Sequence, residues 1–158
     1  MPDEIRNVFI SHIHEDDEGL SDIKSLLGNN GLQIRDRSIT SDNPNRATDE
    51  GYIKTQILAP RISWAGVLIV YVSPGTKDSM YVNWEIEYAH KLGKRIVGVW
   101  SRGANNADVP KALDEYADAV VGWDSGRIID AISGKINNWT GPDGEPRQTR
   151  EILRYSCR

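Results

Sequence analysis

The sequence has little of several features that would quickly assign it to a class. Only one cysteine, Cys157, is present among 158 residues, so no disulfide can form within the chain. A reducing compartment, the cytosol, is therefore expected. The longest apolar run, residues 67–72, is far too short to span a bilayer, and the start shows no apolar signal segment. We therefore expect neither membrane insertion nor secretion.

Basic residues and common catalytic motifs are also scarce. Nineteen Lys and Arg residues against 23 Asp and Glu residues give a net charge of -4, without the basic face that nucleic-acid binding requires. No GxGxxG, Walker A or GxSxG motif is present, which argues against a dehydrogenase, a kinase and a serine hydrolase. His12 and His14 precede three acidic residues, but side chains two apart at a strand end rarely converge. No metal is predicted.

What the sequence does contain is an alternation of short β-favouring runs and helical patterns. Such alternation is typical of βαβ units and predicts an α/β fold with a parallel sheet. Trp64, Trp100 and Trp123 are interpreted as packing residues. The predicted strands are residues 7–11, 32–35, 66–72, 95–100 and 119–122. The predicted helices are residues 16–27, 50–59 (ended by Pro60), 81–92, 110–117 and 125–136 (capped by Ser125).

Two segments stand outside this alternation. Residues 36–49 form a long polar loop, which is either functional or ordinary surface. Residues 1–136 are predicted to form one domain, followed by a C-terminal tail over residues 137–158. Ile152, Leu153 and Tyr155 in this tail are expected to pack on the domain, with partner binding as the alternative.

The helix predicted over residues 81–92 carries a carboxylate on its apolar side. Glu85 falls inside the apolar stripe, whereas Glu87 and Lys91 lie opposite. Ligands bind beyond the carboxyl ends of parallel strands, where helices begin, and a buried carboxylate is costly unless it is paired or used. Glu85 is therefore either a functional group or a simple complement to the helix N-terminus. The stripe consists of Val82, Ile86, Ala89 and Leu92.

Four segments resemble the TIR-like domains of the Thoeris anti-phage defence family (ThsB-like). They are VFISH from residue 8, SMYVNWEIEYA from residue 79, HKLGKRIVGVW from residue 90 and VVGWDSGRIIDAI from residue 120. The resemblance covers about residues 7–136. It implies a flavodoxin-like, three-layer TIR fold with a five-stranded parallel sheet in the order 2-1-3-4-5 and helices on both faces.

The resemblance also implies an activity. TIR domains commonly carry a serine, any residue, a tryptophan, a small residue, two further residues and a glutamate. Here Ser79, Tyr81, Val82 and Glu85 hold those positions, with Tyr81 in place of the tryptophan. The matched glutamate is catalytic in members that cleave NAD to nicotinamide and a linear or cyclic ADP-ribose. Glu85 is therefore the expected catalytic residue, with NAD as substrate and no further cofactor.

The remaining expectations concern the surroundings of this glutamate. Ser11, His12 and Asp36 by their position after strands, together with Tyr81 and Trp84 in the helix motif, are expected to border the nucleotide. Self-association is expected, as is a separate effector protein that responds to the product as a second messenger.

Two other functions remain open on the sequence. Tyr81 in place of tryptophan leaves room for a TIR domain that only assembles with partners and has no catalytic activity. The second alternative is an enzyme resembling nucleoside deoxyribosyltransferases, which also place a glutamate on a similar fold. Such an enzyme would turn over nucleosides and leave NAD untouched.

Overall fold

The computed structural model describes residues 4–12, 17–29, 32–36, 58–101, 104 and 108–141. Within these ranges five strands form one parallel sheet in the order β2-β1-β3-β4-β5. The predicted parallel α/β fold is thus confirmed, and the strands have the predicted order. The strands are β1 (Glu4–Ser11), β2 (Leu32–Asp36), β3 (Val67–Val72), β4 (Arg95–Trp100) and β5 (Ala119–Val121).

Helices cover both faces of this sheet. Side chains of α2, α3 and α4 pack on one face, here called the α3 face, and side chains of α1 and α5 pack on the other, the α1 face. A 3-10 turn, Thr76–Asp78, precedes α3. The helices described are α1 (Asp17–Gly28), α2 (Ala59–Trp64), α3 (Met80–Lys91), α4 (Lys111–Tyr116) and α5 (Ser125–Ser133).

The central strands are apolar on consecutive positions because both of their faces are covered. In β3, Leu68 and Val70 belong to the core on the α3 face, whereas Val67 and Ile69 belong to the core on the α1 face. Successive side chains of a strand point to opposite faces, so a continuous apolar run serves both cores. The position of a residue in its strand therefore decides which face of the sheet its side chain serves.

The role of Pro60 and the burial of Leu92 differ from the sequence prediction. Pro60 does not end a helix but lies in the first turn of α2, where a missing N–H costs little; residues 50–57 lie outside the described residues. Leu92 is the C-cap of α3 and is 42% exposed. Gly93 follows it with a φ of 72° and turns the chain away, so Leu92 does not join the apolar stripe.

The last helix is shorter than predicted. Its N-cap is Asp124, not Ser125, because the Asp124 carboxylate accepts a 3.0 Å hydrogen bond from the Arg127 N–H. The helix ends at Ser133 because Gly134 adopts a φ of 89°, a conformation that glycine favours after a helix.

The chain beyond α5 returns to the sheet. The Val120 N–H donates to Asn138 O at 3.0 Å, and the Thr140 N–H donates to Val120 O at 2.8 Å. Trp100 Nε1 donates to Thr140 O at 2.7 Å.

Residues 142–158 and the loop residues 37–49 lie outside the described residues, and with them the predicted packing of Ile152, Leu153 and Tyr155. In the part of the chain that the structure describes, no helix has the length and apolar character to cross a membrane.

Candidate active site

The loop after β3 fixes where α3 begins. The Ser73 N–H donates to Thr76 Oγ1 at 2.9 Å, and Thr76 is fully buried. Gly75 adopts a φ of 95°, which only glycine takes readily. The Ser79 hydroxyl then caps α3 by accepting the Val82 N–H at 3.2 Å. These contacts hold the first turn of α3 at the carboxyl edge of the sheet.

Asn83 fixes the same helix from its other side. Its side-chain nitrogen Nδ2 donates to the Ser79 carbonyl oxygen at 3.0 Å, and its oxygen Oδ1 accepts the Ala112 N–H at 3.1 Å. The second contact joins α3 to the start of α4. A side chain carried on a rigid helix that is anchored at its N-terminus is held more precisely than one on a loop.

The side chain of Glu85 lies between α3 and the end of β1. Glu85 is only 6% exposed, and its Oε1 accepts a 2.6 Å hydrogen bond from the fully buried Ser11 hydroxyl. Burial raises the pKa of the Glu85 carboxyl to about 8, and the hydrogen bond from Ser11 acts in the opposite direction. The carboxylate predicted on the apolar side of the helix is thus buried, as are Val82, Ile86 and Ala89 beside it.

This arrangement has a defined chemical capacity. A carboxyl group with a pKa near 8 is mostly protonated at neutral pH in the free protein. A cation placed against it would favour its ionised form, because opposite charges attract strongly where water is excluded. Glu85 can therefore stabilise positive charge that develops in a bound molecule.

The other predicted site residues lie at varying places around Glu85. Ser11 contacts it directly. His12, half-buried, follows Ser11, and its Nδ1 lies 3.0 Å from the Ile10 carbonyl oxygen. Asp36 ends β2, next to β1, and its side chain lies outside the described part of the structure.

Two aromatic residues of α3 complete the predicted set. Tyr81 is half-buried one helical turn before Glu85, so both lie on one side of the helix. Trp84 stacks on Tyr88 with ring centroids 5.0 Å apart and an interplanar angle of 9°. The structure therefore places Tyr81 on the stripe of Glu85 and places the Trp84 ring against Tyr88.

Among the residues that the structure describes, the groups around Glu85 do not form a metal-binding set. In the described ranges, no three His, Cys, Asp or Glu side chains come together. Glu85 and Ser11 supply one carboxyl and one hydroxyl, whereas Ca²⁺ takes six to eight oxygen ligands. His14, Glu15 and Asp16 lie outside the described residues, as does the side chain of Asp17.

A cavity that the sequence did not predict lies at the same edge of the sheet. It has a volume of about 480 Å³ and lies on the α1 face, where Tyr71, Ser101 and Trp123 line it. Trp123 was interpreted as packing, and its ring does contact Tyr71, with centroids 6.0 Å apart. The available signal was polar and aromatic residues directly after three strands.

Three solved structures are similar to the chain, and the two with TM-scores of at least 0.50 support the fold. A conserved protein from Enterococcus faecalis V583 is 11% identical, with 84% of this chain and 99% of that chain covered and a TM-score of 0.53. The TIR domain of the Toll-related receptor TRR-2 from Hydra magnipapillata is 17% identical, with 80% and 91% covered and a TM-score of 0.50. The Clostridium botulinum CMP N-glycosidase BcmB is 16% identical, with 83% and 100% covered and a TM-score of 0.48.

Comparison of sequences gives the family. No curated protein sequence matches the chain significantly. The profile of one family, described as Thoeris protein ThsB, TIR-like domain, matches residues 9–106. This match covers more than half of the chain, and it includes Ser11 at the end of β1 and the whole of α3 with Glu85. The chain belongs to the TIR-like domain family of the Thoeris protein ThsB.

Proposed function

We propose that the chain cleaves the N-glycosidic bond between nicotinamide and ribose in NAD. The observation that carries this proposal is the Glu85 carboxyl, buried at the carboxyl edge of a parallel sheet and hydrogen-bonded by Ser11. Ligands bind at that edge, and buried carboxyls with raised pKa values concentrate at functional sites. Membership of the TIR-like family supports the same interpretation.

The reaction makes use of a carboxylate without needing a general acid. The bond between ribose C1′ and the pyridinium nitrogen breaks, and its electron pair goes to the nitrogen, so nicotinamide leaves as a neutral molecule. The ribose is left as an oxocarbenium-like cation, which the Glu85 carboxylate stabilises, as carboxylates do in glycoside hydrolysis. Water then adds to C1′ and loses a proton, giving ADP-ribose; capture by an atom of the same molecule gives a cyclic product.

The charge of the substrate fits the environment of Glu85. In the free protein the raised pKa keeps the carboxyl mostly neutral near pH 7. A bound nicotinamide ring carries a positive charge, which lowers the pKa of a neighbouring carboxyl and ionises it. Near pH 7 the catalytic carboxylate would thus form mainly when substrate is in place.

The same proposal includes a biological role. The ADP-ribose product, linear or cyclic, acts as a second messenger that a separate effector protein senses during anti-phage defence. Ser11 holds the Glu85 carboxyl, Tyr81 lies one turn before it, and His12, Asp36 and Trp84 are proposed to border the nucleotide. Self-association of the chain is part of this proposal.

The test is incubation of the purified chain with NAD, with separation of the products by chromatography and mass. Nicotinamide release is expected, absent in Glu85→Gln and retained in Glu87→Gln, which changes an exposed carboxylate on the same helix. The assay is repeated in lysate from phage-infected cells, so that a required trigger is supplied. The mass of the second product separates linear from cyclised ADP-ribose.

Three results would overturn the proposal. Full nicotinamide release by Glu85→Gln would remove Glu85 from the chemistry. Turnover of nucleosides with NAD untouched would indicate an enzyme of the deoxyribosyltransferase kind. Concentration-dependent self-association without turnover of NAD in either assay would indicate an interaction module.

A further inference from the structure

The cavity on the α1 face is separate from the groups that surround Glu85. Its volume of about 480 Å³ lies within the usual range for small-molecule sites. It opens at the carboxyl ends of β3 and β4 and beside α1, on the face of the sheet opposite α3. The residues that line it are Asp22, Ser25, Leu26, Tyr71, Ser73, Pro74, Ser101 and Trp123.

Ser101 brings an unused hydrogen-bonding group to this cavity. Its N–H donates to Val72 O at 2.9 Å, which continues the β4 ladder by one residue. Ser101 therefore keeps the alternation that puts Val97 and Val99 on the α1 face. Ser101 is only 8% exposed, and no residue in the described ranges offers its Oγ a hydrogen-bond partner. A buried hydroxyl in this state is costly unless a ligand or water binds it.

The remaining walls indicate the kind of ligand. The rings of Tyr71 and Trp123 meet edge to face at 80°, and together with Leu26 they offer an apolar surface to a flat ring. Among the described lining residues there is no Lys or Arg, so the cavity is a poor site for phosphate. Asp22 and Ser25 on α1 offer polar groups to hydroxyls, as acidic residues do to ribose in dinucleotide sites.

We propose that this cavity is a nucleoside-binding site, which takes the adenosine half of NAD while Glu85 acts on the nicotinamide half. The division of NAD between the two sites rests on the proposed function. The base lies against Tyr71 and Trp123, with one edge hydrogen-bonded to the Ser101 hydroxyl. The ribose hydroxyls face Asp22 and Ser25, and the pyrophosphate crosses the carboxyl edge of the sheet outside the cavity.

The separation of the two sites fits such a molecule. Ser11 pairs in register with Val70, which pairs with Gly98, so Ser101 lies two strands away and three residues further along. At about 4.8 Å per strand and 3.3 Å per residue, the distance from Ser11 to Ser101 is roughly 14 Å. Two bases joined through two riboses and a pyrophosphate can span this distance.

The proposal is tested by titrating the full chain with adenosine in a calorimeter. Saturable binding is expected, weakened about 3- to 10-fold in Ser101→Ala, which removes one hydrogen bond. Trp123→Ala is expected to weaken it about tenfold or more, because a stacking surface is lost. Ser63→Ala, the same substitution at an exposed serine of α2, leaves the affinity unchanged. Ribose 5-phosphate, which lacks the base, does not bind.

The outcomes separate this site from the proposed function. Folding of each variant is checked by its unfolding midpoint, and Trp123→Ala decides the matter if Ser101→Ala does not fold. Adenosine binding that depends on Ser101 supports the site even if NAD is not cleaved. No adenosine binding by the folded chain, or an affinity that neither Ser101→Ala nor Trp123→Ala changes, overturns the site even if NAD is cleaved.

Discussion

Glu85 couples the stability of the folded chain to pH. Its pKa is raised from 4.5 to about 8 by burial, so between these pH values the folded chain binds a proton that the unfolded chain does not. The free energy of unfolding therefore falls as the pH rises through this window. Glu85→Gln removes the titration, and its stability relative to the wild type is expected to increase from pH 5 to pH 9 by a few kcal/mol.

Urea unfolding of both proteins at pH 5, 7 and 9 measures this difference. Glu87→Gln serves as the matched control, because that side chain is exposed on the same helix and its substitution should give no such pH-dependent gain. A constant difference between Glu85→Gln and wild type across the three pH values would show that Glu85 titrates normally.

The same group is expected to set the pH dependence of the proposed NAD cleavage. The free enzyme must lose the Glu85 proton before the carboxylate can act, so kcat/KM is expected to rise with pH up to about 8 and then to level off. Ser11→Ala removes the hydrogen bond that opposes the shift, so the rise is expected to move to higher pH. Initial rates of nicotinamide release between pH 5 and 10 measure both profiles.

The direction of this profile separates two chemistries. Departure of a neutral nucleobase is assisted by a proton donor, so an enzyme of that kind would lose kcat/KM as the pH rises through 8. Ser63→Ala is the control for Ser11→Ala, since its hydroxyl lies on the exposed part of α2. An unchanged midpoint in Ser11→Ala would show that the hydroxyl does not act through Glu85.

At the scale of the element, the stability of α3 depends on its N-cap residue, Ser79, which precedes the first helical residue. The Ser79 hydroxyl accepts the Val82 N–H at 3.2 Å, and loss of such a cap costs about 1 kcal/mol. Ser79→Ala is therefore expected to lower the free energy of unfolding by that amount, as measured in urea. Ser79→Asp, which keeps an acceptor, should restore most of it, and a deficit as large as that of Ser79→Ala would contradict the capping role.

The elements differ in how far the sequence predicts them. Strand β4 has its predicted bounds because it is a nearly continuous apolar run shortly after Gly93. Helix α3 differs from its predicted bounds by one residue at each end. The end of α5 could not be placed by apolar periodicity, since Ile136 continues the pattern beyond the left-handed turn at Gly134. The sequence also could not show whether Pro60 ends one helix or lies in the first turn of the next, because proline is common at both places.

At the scale of the whole molecule, the sequence predicts that the site lies at the carboxyl edge of the sheet, but it does not predict the cavities at that edge. A parallel sheet brings all strand ends to one edge, and this rule alone selected Ser11 as a neighbour of the site. The contact between Ser11 and Glu85 depends on the register of β1 against β3 and on the rotation of α3 about its axis. A local sequence pattern predicts neither of these. The cavity beside Trp123 depends likewise on how α1 sits against three strands.

The segment after α5 connects strands β4 and β5 with helix α5 through the hydrogen bonds of Thr140. Thr140 bonds to Val120 through its N–H, receives the Trp100 indole N–H on its carbonyl, and accepts Arg127 on its hydroxyl at 2.9 Å. Trp139 packs edge to face on Trp100, which is only 2% exposed. Removing these residues would leave a buried indole N–H without its acceptor, which is costly.

A chain that ends at Ile136 is therefore expected to be less stable than one that ends at Gly141. The loss should be roughly 3–5 kcal/mol, from several hydrogen bonds and the burial of one large aromatic ring. Urea unfolding followed by circular dichroism compares the two truncated chains directly, so residues 142–158 do not enter the comparison. Within the longer chain, Trp139→Ala should account for about half of the loss. Equal free energies of unfolding would mean that residues 137–141 lie on the domain without stabilising it.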